Sequence, residues 1–242
     1  MATFVLVHGS FHGAWCWHKL LPELEVLGHH AVALDLPAQG DDEAPIADAT
    51  LDSNVARVVG VIEQQTEPVV LVGHSFGGAT ITATAERVPD RIKLLVYITA
   101  FIPRDGESVN DITRSPLWPP EEGARAFARS EDGLSVSVAP DAVRERFYHD
   151  CPDEDVALCL ERIRPQPFAP RDTPVRTTPE RFGRVPRAYI HCADDMSIPL
   201  RVQQEIVARM PCEQVVTLAT SHSPFLSAPV ELAEALSDLV AD

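Results

Sequence analysis

Pro68-Val69-Val70-Leu71-Val72-Gly73-His74-Ser75-Phe76-Gly77 passes from an uncharged, β-branched run into a turn punctuated by glycine, and a helix-like stretch follows at once. A continuous apolar run of that kind suits a strand buried on both faces, as in a parallel sheet. Gly73-His74-Ser75-Phe76-Gly77 then fits the G-x-S-x-G turn between a strand and a helix. Its glycines remove side-chain atoms that would collide where the chain reverses. Ser75 is thereby lifted above the sheet edge at the start of a helix, where backbone N–H groups and the helix dipole favour developing negative charge. Ser75 is the candidate nucleophile.

Outward from this turn, short apolar runs alternate with segments of helical spacing. The runs are Phe4–Val7, Ala31–Leu36, Val69–Val72, Lys93–Thr99, Ala188–Cys192 and Val215–Leu218. The helical segments are Trp15–Leu27, Leu51–Gln65, Gly77–Val88, Leu200–Met210 and Pro224–Leu239. This rhythm predicts βαβ units: an α/β fold with a mostly parallel sheet and helices on both faces. It breaks between Phe101 and Pro186, where Pro103, Pro116, Pro119, Pro120, Pro140, Pro152, Pro165, Pro167, Pro170, Pro174, Pro179 and Pro186 crowd together. Such density excludes long helices and central strands. Only Asp141–Asp150 and Asp153–Arg162 read as helices there. An excursion of about 80 residues is too long for a plain loop. Its aromatic residues, Trp118, Phe127, Phe147, Tyr148, Phe168 and Phe182, argue against disorder. The chain therefore reads as a single domain over residues 1–242, with a core at 1–102 and 187–242. A small cap at 103–186 lies over the carboxyl ends of the strands, where ligands of such sheets bind.

Composition narrows the partners. With 242 residues and 45% hydrophobic residues the chain can build one full core. A net charge of −16 argues against nucleic acid or an anionic membrane surface. Met1-Ala2-Thr3 runs straight into Phe4-Val5-Leu6-Val7 without a basic leader, and no apolar stretch is long enough to span a bilayer, so the expected location is cytoplasmic. Cys16, Cys151, Cys159, Cys192 and Cys212 are odd in number and irregular in spacing, which predicts free thiols rather than a disulfide framework or a zinc site. His8 and His12 stand four apart, but across a strand end and a loop rather than on a helix, so no metal site is expected. No cofactor is implied, and a homodimer through cap or edge contacts is compatible with the sequence.

A serine hydroxyl needs a base, and the base needs a third group to fix its tautomer. Val215–Leu218 leads through Ala219-Thr220-Ser221 to His222, followed by Ser223 as an N-cap and Pro224 at a first helical position. A histidine between the last strand and the last helix fits the base. The acid should close the preceding strand, and Ala188–Ala193 delivers Asp194 and Asp195 there. Two adjacent carboxylates cannot both face the ring, and periodicity does not choose between them. Asp35 and Asp105 also follow strands, but Asp105 lies before the cap and Asp35 before Ser75. The oxyanion donors should be the N–H of Phe76 and, from the loop His8-Gly9-Ser10-Phe11-His12-Gly13, the N–H of Ser10, with Gly9 letting that loop approach the nucleophile. Gly9, Phe11, His12, Trp15, Trp118 and Phe147 are the expected substrate-binding residues of an apolar pocket.

These residues resemble the α/β-hydrolase superfamily along essentially the whole chain. Within it the similarity points to the branch of plant methyl esterases and α-hydroxynitrile lyases, on Phe4-Val5-Leu6-Val7-His8-Gly9-Ser10-Phe11-His12-Gly13-Ala14-Trp15-Cys16-Trp17, Ala33-Leu34-Asp35-Leu36-Pro37 and Gly73-His74-Ser75-Phe76-Gly77-Gly78. The resemblance implies an α/β-hydrolase fold with the cap inserted after the sixth-strand position. In that branch the catalytic acid precedes a proline in a pattern like Asp-x-x-Ile-Pro. Asp195-Met196-Ser197-Ile198-Pro199 matches it, so the resemblance selects Asp195. The lyases carry threonine at the position of Gly9, typically cysteine at that of Phe76 and lysine at that of Ser223. Their absence here implies hydrolysis of a small ester, thioester or lactone by a Ser75-His222-Asp195 triad through an acyl-enzyme. A lyase acting on cyanohydrins and a weakly hydrolytic small-molecule receptor are the rival readings.

Overall fold

A computed structural model describes residues 1–118 and 126–241. In chain order the elements begin with β1 (Thr3–Val7), α1 (Leu20–Val26), β2 (His30–Leu34), α2 (Leu51–Glu63), β3 (Val69–His74), α3 (Gly77–Arg87) and β4 (Ile92–Ile98). The excursion follows, with α4 (Val109–Arg114), β5 (Phe127–Arg129), β6 (Ser135–Val138), α5 (Pro140–Phe147), α6 (Asp153–Arg162), β7 (Gln166–Pro167) and α7 (Ala169–Asp172). The chain returns through β8 (Arg187–Cys192), α8 (Leu200–Arg209), β9 (Gln214–Leu218), α9 (Pro224–Ser227) and α10 (Pro229–Asp238).

Six strands form one sheet in the order β2-β1-β3-β4-β8-β9, and every pairing in it is parallel. All six residues of β3 are buried, as its uninterrupted apolar run requires of a central strand. Alternate side chains feed two cores. Phe4, Leu6, Val70, Val72 and Ile190 point toward α1 and α10, where Leu20, Leu24, Leu232 and Leu236 meet them. Val5, Val7, Leu71, Leu95 and Tyr189 point toward α2, α3 and α8, against Val58, Ile62, Ile81, Val202 and Ile206. Helices thus cover both faces. This is the α/β-hydrolase fold, and the excursion leaves the sheet after β4, the fourth strand in chain order.

The excursion holds more regular structure than its prolines predict. β5, β6 and β7 form a small antiparallel sheet in that order. Proline enters it only at Pro167 on the edge strand β7, the position at which a missing N–H is tolerated. α4 also escapes the sequence reading, although Ser108 and Asp111 form a reciprocal capping box at its start. Pro119 and Pro120, part of the proline run, lie outside the described residues. Two expected core helices are shorter than their apolar spacing. Trp15–Leu27 resolves into a 3-10 turn at Ala14–Trp17 and then α1, which begins so that Pro22 falls in its first turn. Pro224–Leu239 breaks in two at Ala228, immediately before Pro229.

Candidate active site

The carboxyl ends of β1, β3, β4, β8 and β9 converge on one rim, and each contributes a piece of the site. After β3 the chain enters the turn with Ser75 at φ +52°, in the left-handed region. Holding a serine there costs about 1–3 kcal/mol and persists only where the surroundings over-determine it. They do: a Cβ on Gly73 would lie 2.9 Å from the backbone of Gly77, and one on Gly77 would lie 2.7 Å from the carbonyl oxygens of Val7 and His8. Strand β1 and helix α3 are therefore in backbone contact, and the strained turn is clamped between them.

The loop after β1 closes over Ser75 from the other side. A Cβ on Gly9 would meet Ser75 Cβ at 2.9 Å and His74 Nδ1 at 2.7 Å, so only glycine fits without movement. This approach brings the Ser10 backbone to the same turn as the Phe76 N–H. Among the described residues neither N–H has a protein acceptor. His8 holds the loop's base: its Nδ1 faces the Gly9 carbonyl at 2.8 Å and its Nε2 accepts the Leu36 N–H at 3.1 Å. Burial pushes its pKa down, which keeps the ring neutral in this arrangement.

His222 follows β9 and is buried. Its Nδ1 lies 2.6 Å from Asp195 Oδ2. Asp195 is surrounded by donors: Oδ1 accepts the N–H groups of Ser197 at 2.6 Å and Ile198 at 2.9 Å, while Oδ2 also accepts the Thr99 hydroxyl at 2.5 Å. Four bonds to a buried carboxylate leave it acceptor-only and fixed in orientation. Asp194 is exposed and binds through its backbone, its N–H donating to the Thr220 carbonyl at 3.0 Å and its carbonyl accepting from His149 Nε2 at 2.9 Å. Of the two carboxylates that periodicity leaves open, it is Asp195 that touches the ring. The histidine backbone is held as well, because His74 Nε2 donates to the His222 carbonyl at 2.8 Å. Ser75 and His222 line the same cavity. Among the described residues no Ser75 Oγ–His222 hydrogen bond forms, a contact that commonly tightens only with substrate.

That cavity, about 620 Å³, lies between the strand ends and the excursion. Phe11, Trp118 and Phe147 line it as the sequence predicts, and Ser10, expected as an oxyanion donor, lines it with them. Gly9, His12 and Trp15 do not, which corrects that expectation. Gly9 presents only backbone, pressed against Ser75. His12 is buried behind Phe11 and bridges the loop to the excursion, with Nδ1 on the Ser10 carbonyl at 2.7 Å and Nε2 on the Tyr148 hydroxyl at 2.6 Å. Desolvation pushes its pKa down to about 3. Trp15 stacks on the far side of His12, with ring centroids 5.5 Å apart. Nor does the Ser223 side chain cap α9: its Oγ is buried without a hydrogen-bond partner.

Three groups went unread in the sequence. Thr99 and Phe101 close β4, so the rule that ligands gather at strand ends would have found them. Arg171, on α7, gave no local signal. Asp35 and Asp105 have structural partners instead, Asp35 accepting the Ala14 N–H at 2.6 Å and Asp105 that of Thr177 at 3.0 Å.

Residues 4–235 match the model of the alpha/beta hydrolase family. The chain belongs to that family. It is 35% identical to Methylesterase 2 of Arabidopsis thaliana, covering 96% of this chain and 94% of that protein. It is 31% identical to the alpha-hydroxynitrile lyase of the same plant, over 99% and 97% of the two chains. The crystal structure of polyneuridine aldehyde esterase superposes with a TM-score of 0.90 at 29% identity, covering 100% of both chains. This member of the family is methylesterase-like in sequence and in fold, as its motifs imply. Among the described residues no helix is long and apolar enough to cross a membrane.

Proposed function

We propose that the protein is a serine carboxylesterase that cleaves a small ester, thioester or lactone through an acyl-enzyme. The observation that carries this reading is the Asp195–His222 pair, 2.6 Å apart, opening onto the same cavity as a serine strained into the left-handed region. In this mechanism Ser75 Oγ attacks the carbonyl carbon while its proton passes to His222 Nε2. Asp195 keeps the other ring proton on Nδ1 and supports the imidazolium. The carbonyl oxygen becomes an oxyanion, held by the N–H groups of Ser10 and Phe76. One such donor is typically worth about 3 kcal/mol of barrier. Collapse expels the alcohol, which takes the proton from His222. Water then repeats the sequence on the acyl-enzyme and releases the acid. No cofactor enters the scheme. Five free cysteines fit a reducing compartment, and the cytoplasm is the location this reading carries.

Similarity to an alpha-hydroxynitrile lyase makes cyanohydrin cleavage the rival chemistry. The lyase-type threonine has no room at position 9, because even a Cβ there overlaps Ser75 and His74. Labelling with a fluorophosphonate tests the proposal: the wild type should be modified at Ser75, and Ser75→Ala should lose both labelling and methyl-ester turnover while remaining folded. Cyanide release from mandelonitrile should be absent. Turnover retained by Ser75→Ala, or cyanide release without ester hydrolysis, would overturn the assignment.

A further inference from the structure

Arg171 is a cation inside the candidate active-site cavity, with no counterion among the described residues. Its guanidinium, half-buried on α7, lines the cavity together with Ser75 and His222. Among the described residues its side chain makes one hydrogen bond, from Nη1 to the neutral Ser10 hydroxyl at 2.9 Å. Desolvation lowers its pKa to about 10, so it stays charged at neutral pH and bears the cost of lost hydration. The neighbouring carboxylate does not relieve it, because Asp172 turns away to Asn110 at 2.9 Å and Arg114 at 3.5 Å. The other two arginines of the cavity are engaged: Arg114 with Asp172, and Arg146 with the Met196 carbonyl at 2.9 Å. The lining as described contains no aspartate or glutamate, in a chain whose net charge is −16.

An acid-rich protein that withholds every described carboxylate from this cavity, yet places an uncompensated guanidinium in it, is arranged for an anion that arrives with the substrate. We propose that Arg171 is a specificity-determining residue that binds a free carboxylate carried by the ester substrate, so that the preferred substrate is a half-ester of a dicarboxylic acid or a close equivalent. The inference rests on the esterase reading above. The planar donor fork of arginine matches a carboxylate in two parallel hydrogen bonds. Ser10 fixes the location: its hydroxyl touches Arg171 while its backbone flanks Ser75, so the bound carboxylate lies beside the acyl group under attack.

The test compares monomethyl succinate, glutarate and adipate with methyl pentanoate, a neutral ester of similar size. Wild-type kcat/KM should favour at least one half-ester by tenfold or more. Arg171→Gln should reduce that preference by about 10- to 100-fold, the effect of losing a hydrogen bond to a charged group. Arg171→Lys should retain part of it, and thermal melting should verify that both variants fold. Absence of any wild-type preference, or equal loss on charged and neutral esters, would overturn the inference; equal loss would mean that Arg171 only props Ser10. Calorimetric binding of the half-esters to Ser75→Ala, with and without Arg171→Gln, separates the two readings. If the wild type hydrolyses no ester, the esterase reading fails. The anion site then stands if half-ester binding weakens about tenfold or more on Arg171→Gln, and falls if binding is unchanged or absent.

Discussion

Replacing Gly9 with alanine should disable catalysis while leaving the fold in place. The added Cβ would lie 2.9 Å from Ser75 Cβ and 2.7 Å from His74 Nδ1. Relief to ordinary contact distance requires a movement of about 0.6–0.8 Å or more. Neither neighbour can supply it. His74 is tied through Nε2 to the His222 carbonyl, and Ser75 sits in a turn clamped between β1 and α3. The loop carrying Ser10 must therefore retreat, and with it the N–H proposed as an oxyanion donor. A misplacement of this size costs about 10²-fold in kcat, close to the loss of one donor outright. Overpacking should cost about 1–3 kcal/mol of stability, which lowers the melting temperature by roughly 2–12 °C in a chain of this size. The assay is saturation kinetics on whichever methyl ester the wild type turns over best, with thermal melting alongside. The expected pattern is a large fall in kcat with a smaller change in KM. A folded Gly9→Ala protein with kcat within threefold of wild type would refute the close approach of the loop and the oxyanion role of Ser10 together.

Asp195→Asn should lower kcat by about 10⁴-fold, the value known for the corresponding change in a Ser-His-Asp triad, because the amide stabilises the wrong tautomer of His222. Asp194→Asn, altering an exposed side chain, should leave ester turnover within twofold; equal losses in the two variants would reverse the assignment. Tyr189→Phe should destabilise the fold by about 1–3 kcal/mol in denaturant titration, because the hydroxyl both accepts the Ala100 N–H at 2.8 Å and donates to the Ala100 carbonyl at 2.9 Å. An unchanged midpoint would show that the strand end beside Phe101 is held by packing alone. Acid should loosen the protein through His12, whose pKa falls to about 3 in the fold from an ordinary 6.5. The unfolded chain then binds the extra proton between those values, so stability is complete above about pH 6.5 and declines by about 1.4 kcal/mol per unit as pH falls toward 3. His12→Gln, compared with wild type by denaturant titration at neutral pH and near pH 4.5, should show a loss smaller by about 2–3 kcal/mol. Identical losses would mean that the ring is not buried neutral.

The core and the candidate site at its rim were largely legible because both are written locally. A strand buried on both faces needs an unbroken apolar run, and a strained turn needs its glycines, so β3 and Ser75 are visible within ten residues. His222 is visible because it stands between a β-branched run and a Ser-Pro helix start. The acid was harder. Asp194 and Asp195 both end β8, and what separates them is the turn after the strand, in which the Asp195 carboxylate takes the N–H groups of Ser197 and Ile198. That turn shows in sequence only as the proline four residues on. His12 and Trp15 were misread for a different reason: an aromatic ring after a strand end can face the cavity or the layer behind it, and the Tyr148 hydroxyl, contributed from far along the chain, draws His12 backward. Arg171 lies beyond any local rule, since its place beside Ser10 depends on how the whole excursion folds back onto the sheet.

Strain is concentrated where the chemistry is assigned. Positive φ at residues other than glycine occurs, among the described residues, at Phe11, Ala38, Ser75 and Thr99. Three of these belong to the rim: Ser75 the candidate nucleophile, Thr99 a donor to Asp195, and Phe11 a wall of the cavity. Each costs about 1–3 kcal/mol, and a turn or loop alone could not sustain them. The fully buried strands beneath supply the offset, since each large aliphatic side chain taken from water contributes about 1.5–3 kcal/mol. Val69, Val70, Leu71 and Val72 of β3 are wholly buried, directly below the strained serine. The sheet must stay as it is to hold three strained residues in register, whereas Arg171, proposed above to read the substrate, sits outside the sheet on its short helix and reaches the rim only through Ser10.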